Sequence, residues 1–193
     1  KFHPDFDFVL DKILNEIPHA LLFFFDSKNA ETEKLLSRWK TNSKLIHKRT
    51  IIHPRVDIDK YFAILKSFDV ILDPFYFGMG TTFYQSMSFC IPVVSMPSEQ
   101  NRGRLAYAAY KQMNIKNPPI ANSPLEYISI CKELAYNSTY KDNIKCQIFS
   151  KAKYTLFNDK YIHKEFIEFF EKSLEAAQKR RMLPPEWKTS LID

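Results

Sequence analysis

Short, wholly apolar runs alternate with helix-period segments along this chain, and that alternation leaves few folds open. Ala20–Phe25 (ALLFFF) is apolar at every position and follows the helix-stopping Pro18. Such a run suits a strand covered on both faces, as in parallel sheets. Val70–Leu72 and Pro92–Met96 read the same way, Arg49–His53 reads as a short strand closed by Pro54, and Pro119–Ala121 as a short edge strand. Helical segments separate them. Asp5–Ile17 carries Phe6, Val9, Leu10, Ile13, Leu14 and Ile17 at helical spacing, with Pro4 in its first turn. Ala30–Lys40, Ile58–Phe68, Thr81–Phe89 and Arg102–Met113 follow. Ser123 then caps a helix running to about Tyr136, and two more helices cover Lys141–Tyr154 and Lys160–Arg181. Strands alternating with helices predict an α/β fold: a Rossmann-like parallel sheet of about four or five strands with helices on both faces.

The length of 193 residues fits one domain, read as residues 1–181, with an irregular tail over 182–193 marked by Pro184 and Pro185. The formal charge of +6 is spread along the chain. Its one dense cluster, Lys179-Arg180-Arg181, suits a helix C-terminus better than a nucleic-acid surface. No apolar run reaches membrane-spanning length and no signal-peptide pattern opens the chain. Neither nucleic acid nor membrane is therefore expected as a partner. Cys90, Cys131 and Cys146 are odd in number, fit no metal motif and lie in apolar helical contexts. They read as buried thiols of a reducing cytoplasm. The chain opens on Lys1 rather than methionine, so it reads as a fragment or a processed product.

The densest chemistry lies in residues 71–96, ILDPFYFGMGTTFYQSMSFCIPVVSM, read as strand, turn, loop, helix and second strand. Two of the three glycines of the chain, Gly78 and Gly80, sit in that loop. Glycine is expected there for positive φ or for a close approach to the backbone. Thr81 and Thr82 follow at the head of the helix. Open N–H groups, two hydroxyls and the positive end of a helix dipole would converge there, an arrangement that suits an anion such as phosphate. The competing reading is an ordinary helix start, since the loop matches neither the P-loop nor the dinucleotide fingerprint.

Other candidates each carry two readings. Asp73 is either catalytic or the acceptor that fixes a turn, and a turn role is the commoner one for an aspartate before proline. Gln85, one helical turn after Thr81, either bonds a ligand hydroxyl or lies on a surface face. Arg102 and Arg104 either grip an anion or hold their own loop, Arg104 by pairing with Glu99. The five histidines show no metal spacing, so no metal is expected, and no nucleophile–His–Asp arrangement or carboxylate pair stands out.

Several landmarks in fixed order carry a resemblance: HPDFD at His3–Asp7, LDPFYFGMGTT at Leu72–Thr82, PVVSMPSE at Pro92–Glu99, RGR at Arg102–Arg104 and SPLEY at Ser123–Tyr127. From Lys1 to about Phe170 the chain resembles the catalytic C-terminal lobe of family 41 glycosyltransferases, which include O-linked N-acetylglucosamine transferases, SPINDLY-like proteins and bacterial relatives. The resemblance implies a GT-B fold, with two Rossmann-like lobes and an active site in the cleft between them. It implies transfer of a sugar of GlcNAc or glucose type from a UDP-sugar to a protein side chain, with no metal or other cofactor. The implied partners are the UDP-sugar, an acceptor protein or peptide, and the N-terminal lobe of the same enzyme.

The resemblance also assigns residues. Lys1 matches the lysine that contacts the diphosphate and is the one implied catalytic group. Gly80, Thr81 and Thr82 match the helix start that holds the phosphates. Arg55 and Val56, with Tyr61 on the following helix, match the part facing the uracil. Gln85 stands where the family usually has a ribose-binding aspartate, so an amide replaces a carboxylate. Acceptor-binding and proposed base residues belong largely to the other lobe, so these 193 residues alone are expected to bind nucleotide weakly and to be inactive. The rival readings are another GT-B enzyme, such as a nucleotide-sugar epimerase or glycan-building transferase, and a non-catalytic nucleotide-binding or interaction module.

Overall fold

A computed structural model of the chain describes residues 2–26 and 30–190. Lys1 lies outside the described residues. The chain opens with α1 (Pro4–Glu16), which buries the apolar stripe of Phe6, Val9, Leu10, Ile13 and Leu14. Strand β1 (Leu22–Phe25) follows, then α2 (Ala30–Asn42), α3 (Lys44–Lys48), β2 (Thr50–His53) and α4 (Ile58–Leu65). Next come β3 (Ile71–Leu72), α5 (Thr81–Ser88) and β4 (Val93–Val94). A 3-10 turn at Asn101–Gly103 leads into α6 (Leu105–Gln112), and α7 (Pro124–Tyr136), α8 (Ser138–Ala152) and α9 (Ile162–Gln178) follow.

Among the described residues all strand pairing is parallel. β1 pairs with β2 in the register Leu22 to Thr50 through Phe25 to His53, and β3 pairs with β4 as Ile71 to Val93 and Leu72 to Val94. The sequence predicts one sheet of four or five strands. The described residues instead form two two-stranded sheets. The segment read as an edge strand contributes a single parallel bridge, Ser95 to Ile120. Pro74 and Pro92, each without an N–H, bracket the β3–β4 ladder and keep it short.

Helices do cover both faces of the β3–β4 pair, as the period of two along a strand requires. Leu72 and Val94 face a core that includes Phe6, Val9 and Leu14 of α1 and Tyr127 of α7. Ile71 and Val93 face a second core, built from Phe83 and Met87 of α5, Ala109 and Tyr110 of α6, and Ile144 and Ile148 of α8. Adjacent valines thus belong to different cores, and both are fully buried. Around β1–β2 the layers are aromatic: Phe24 meets Trp39 of α2 with centroids 5.6 Å apart, and Phe25 meets Tyr61 of α4 at 5.2 Å.

Local details differ from the sequence reading in three places. The segment after α2 contains a further helix, α3, whose start is set by Ser43 accepting from the Ile46 N–H. Its apolar content is too small to register as a period. The helix expected to reach Tyr154 ends at Ala152 and widens into a π turn over Lys153–Phe157. The thiols are not uniformly buried: Cys131 is buried, Cys90 is half-buried and Cys146 is exposed. Ile144 and Ile148 take the core side of α8, and a residue two positions from each points the other way. No described helix is long and apolar enough to cross a membrane.

Candidate functional site

The carboxyl ends of the parallel strands gather the loops after His53, Leu72 and Val94 on one edge, where open α/β sheets bind their ligands. Helix α4 starts from the first of these. Asp57 caps it by accepting from the Lys60 N–H at 2.9 Å, and that bond holds the Asp57 carboxyl below its ordinary range. Arg55 in this turn is exposed and Val56 is half-buried. One turn into α4, Tyr61 reaches across to α5. Its hydroxyl donates to the Gln85 amide oxygen at 3.1 Å. Burial raises the Tyr61 phenol, and a hydrogen bond with the Thr82 side chain opposes that rise. Tyr61, Thr82 and Gln85 therefore form one cluster.

Helix α5 begins at Thr81, with Gly80 as its N-cap and no side chain bonding the open turn. Five helices are closed differently, with His3, Ser43, Asp57, Ser123 and Asn137 each accepting a backbone N–H at a helix start, while α6 and α9 share the uncapped start of α5. Thr81 and Thr82 are exposed, and a Cβ placed on Gly80 would meet nothing within 4 Å. The first turn of α5 thus presents N–H groups beside two exposed threonines, of which Thr82 also bonds Tyr61, next to the Tyr61–Gln85 bridge. Such a terminus is suited to an anion, and the bridge supplies polar groups for a neighbouring hydroxyl-bearing moiety.

The loop before α5 is built on Asp73. This carboxylate is 3% exposed and accepts from the Met79 N–H at 2.6 Å and the Ser95 hydroxyl at 2.7 Å. It fixes a turn, the commoner of the two roles open to it in the sequence. Neither loop glycine has positive φ, contrary to one half of the sequence expectation. The left-handed residue is Tyr76, at φ 67°. Gly78 satisfies the other half, close approach: a Cβ there would stand 3.0 Å and 3.1 Å from the two Asp73 oxygens. Its N–H donates to the Arg102 carbonyl at 2.9 Å, joining the Gly78 loop to the loop after β4.

In that second loop Arg104 donates to the Ser98 carbonyl at 2.8 Å and lies over the Tyr107 ring. The loop is held by a backbone carbonyl, where the sequence offered Glu99. Arg102 is exposed on the same segment.

Sequence reasoning missed three members of this region. Tyr76 donates to Asp5 at 2.6 Å and packs edge-on against His3, which docks the start of α1 onto the Gly78 loop. The Asp5 bond pushes the Tyr76 phenol up. Ser95 binds Asp73, and a lone serine in the run PVVSM was the available signal for a buried polar contact. Tyr127 donates to the Val94 carbonyl at 2.9 Å from 54 residues beyond Asp73, a separation no local pattern encodes. Among the described residues no cluster of three His, Cys, Asp or Glu side chains is placed to hold a metal ion.

No protein-family model matches this chain, and no curated protein matches it. Among solved structures it is similar to a mutant O-GlcNAc transferase from Thermobaculum terrenum, at 19% identity and a TM-score of 0.73. The match covers 93% of this chain and 33% of that one, so the chain spans about a third of its structural relative's length. At this identity the likeness establishes the fold, that of a segment of an O-GlcNAc transferase.

Proposed function

We propose that this chain is the UDP-sugar-binding, Rossmann-like lobe of a GT-B glycosyltransferase that moves a sugar of GlcNAc or glucose type onto a protein side chain. One observation carries the reading. The uncapped start of α5, with Thr81 and Thr82, opens beside the Tyr61–Gln85 bridge on the carboxyl edge of parallel strands. The O-GlcNAc transferase fold supports it.

In this reading the diphosphate sits at Gly80, Thr81 and Thr82, the ribose faces Gln85, and the uracil lies toward Arg55, Val56 and Tyr61. Transfer is a direct displacement at the anomeric carbon by the acceptor hydroxyl or amide. The C–O bond to UDP breaks as the bond to the acceptor forms, and the UDP leaves as an anion. Its developing charge is stabilised by the α5 N–H groups, the threonine hydroxyls and Lys1. Neither a metal nor another cofactor is required. The acceptor site and its base belong to an N-terminal lobe of the same enzyme.

The test is calorimetry of UDP binding to the native chain and to Thr82→Val. The substitution keeps the shape of the side chain and removes the hydroxyl. A loss of about 1–2 kcal/mol is expected, the scale of a hydrogen bond to a charged group. Equal affinity of the two proteins removes Thr82 from the site, and no UDP binding by the native chain overturns the reading.

A further inference from the structure

The geometry points to Asp73 as the residue that positions the phosphate-binding turn: a buried carboxylate that sets where the backbone of Gly78–Thr82 stands. The inference rests on the UDP reading of α5. The carboxylate is 3% exposed, and a charge so buried is costly unless it is fully bonded. Its bonds come from two directions. Oδ1 accepts from the Met79 N–H at 2.6 Å, two residues before α5 begins. Oδ2 accepts from the Ser95 hydroxyl at 2.7 Å, on the segment following β4.

Ser95 is itself fixed, its N–H donating to the Pro119 carbonyl at 3.1 Å and its carbonyl accepting from Ala121 at 2.8 Å. The backbone N–H of Asp73 donates to Val94 at 2.9 Å. The carboxylate therefore joins a hydrogen-bonded base, the segment around Ser95, to the loop. Short charged hydrogen bonds of this kind are about twice as strong as neutral ones.

Gly78 completes the device. Its missing Cβ lets the backbone lie against both carboxylate oxygens, and the Arg102 carbonyl closes the far side, 3.4 Å from where that Cβ would be. The loop is gripped between the aspartate and a neighbouring backbone. The Met79 N–H is consumed by Asp73, while the turn beginning at Gly80 has no side-chain cap. One carboxylate thus aims the following turn outward without itself touching the ligand.

Positioning of this kind acts on the phosphate end of a nucleotide and not on its base. The experiment compares UDP and uridine binding to the native chain, Asp73→Asn and Gly78→Ala, after circular dichroism has established that each variant is folded. Asp73→Asn removes the charge with little change of shape. Gly78→Ala pushes the loop off an intact carboxylate. Each is expected to weaken UDP by about tenfold, near 1.4 kcal/mol, and to leave uridine unchanged. UDP affinity at the native level in both variants overturns the inference, and so does an equal loss for UDP and uridine, the mark of general loosening.

Amide exchange gives a readout free of ligand. The Met79 N–H should exchange at least about tenfold faster in Asp73→Asn, and an unchanged rate overturns the positioning role. If the native chain binds neither UDP nor uridine, the functional reading falls while the Met79 rate still decides whether Asp73 holds the loop.

Discussion

The Tyr61 hydroxyl donates to the Gln85 amide oxygen at 3.1 Å and so ties α4, which follows β2, to α5, which follows β3. The two hydrogen-bonded sheets are separate ladders, so this bridge is one of the links that hold their carboxyl-edge loops in register. It also orients the Gln85 amide. With its oxygen engaged by Tyr61, the amide has its NH2 to offer a ligand hydroxyl. Tyr61→Phe removes the orienting bond and keeps the ring that packs on Phe25. Uridine affinity should fall by about 1 kcal/mol, the scale of one neutral hydrogen bond. Calorimetry with uridine reads this directly, and an unchanged value would mean that the bridge faces away from the nucleoside.

A second hub controls stability rather than binding. Asp7 on α1 accepts from Arg38 Nε at 2.7 Å, from Arg38 Nη2 at 2.9 Å and from the Trp39 indole at 2.8 Å. Arg38 also donates to the Phe2 carbonyl at 2.9 Å, so α2 clamps the start of the chain. Asp7→Ala takes two bonds from a half-buried guanidinium, which keeps the Phe2 carbonyl, and leaves a buried indole N–H without its acceptor. The expected cost is about 2–4 kcal/mol in urea unfolding. Asp7→Asn, which keeps one acceptor, should cost roughly half as much.

The parts legible in the sequence were those with local causes. The stripe of α1, the Ser123 cap and the apolar strands all follow from spacing within a few residues. The start of α5 was legible for the same reason, because two glycines and two threonines mark it. What the sequence hid depends on long-range partners. Nothing near Asp73 announces Ser95 or Tyr127, and nothing near Asp5 announces Tyr76 as its donor. The positive φ falls on Tyr76 rather than a glycine, and Asp5 and His3 hold that ring from outside the loop. The division into two short sheets was hidden as well, since apolar runs reveal burial but not how many residues each ladder pairs.

Two buried tyrosines make a paired prediction about the β3–β4 layer. Tyr110 accepts from the Val93 N–H at 2.8 Å, and burial pushes its phenol well up. Tyr110 also donates to the Val93 carbonyl at 3.2 Å, whereas Tyr127 only donates, to the Asp73 carbonyl at 3.2 Å and to the Val94 carbonyl, which also accepts from the Asp73 N–H. Tyr110→Phe strands a buried donor and should cost about 2–3 kcal/mol, whereas Tyr127→Phe leaves a carbonyl still bonded and should cost about 1 kcal/mol. Denaturant unfolding of both variants checks the order, and a larger cost for Tyr127→Phe would contradict it.

The segment after α9 gives a pH prediction. Glu168 on α9 accepts from the Thr189 hydroxyl and from the Ser190 N–H, while Trp187 packs on Phe169 with centroids 5.6 Å apart. The Thr189 bond comes first among the causes that hold the Glu168 carboxyl below its ordinary value of 4.5, and the Ser190 bonds add to it. A depressed carboxylate stabilises the docked form above its unfolded pKa. That contribution is lost as pH falls through the lower, folded value. The segment should therefore stay docked at neutral pH and loosen as pH falls through the depressed value of the Glu168 carboxyl, below 4.5. The Trp187 indole N–H in NMR spectra reports the step, since Trp39 is buried elsewhere and bonded to Asp7. Glu168→Gln removes the titrating group, so its Trp187 signal should show no corresponding acid step before global unfolding. A Trp187 transition of the same midpoint in both proteins would assign the docking to Trp187 and Phe169 alone.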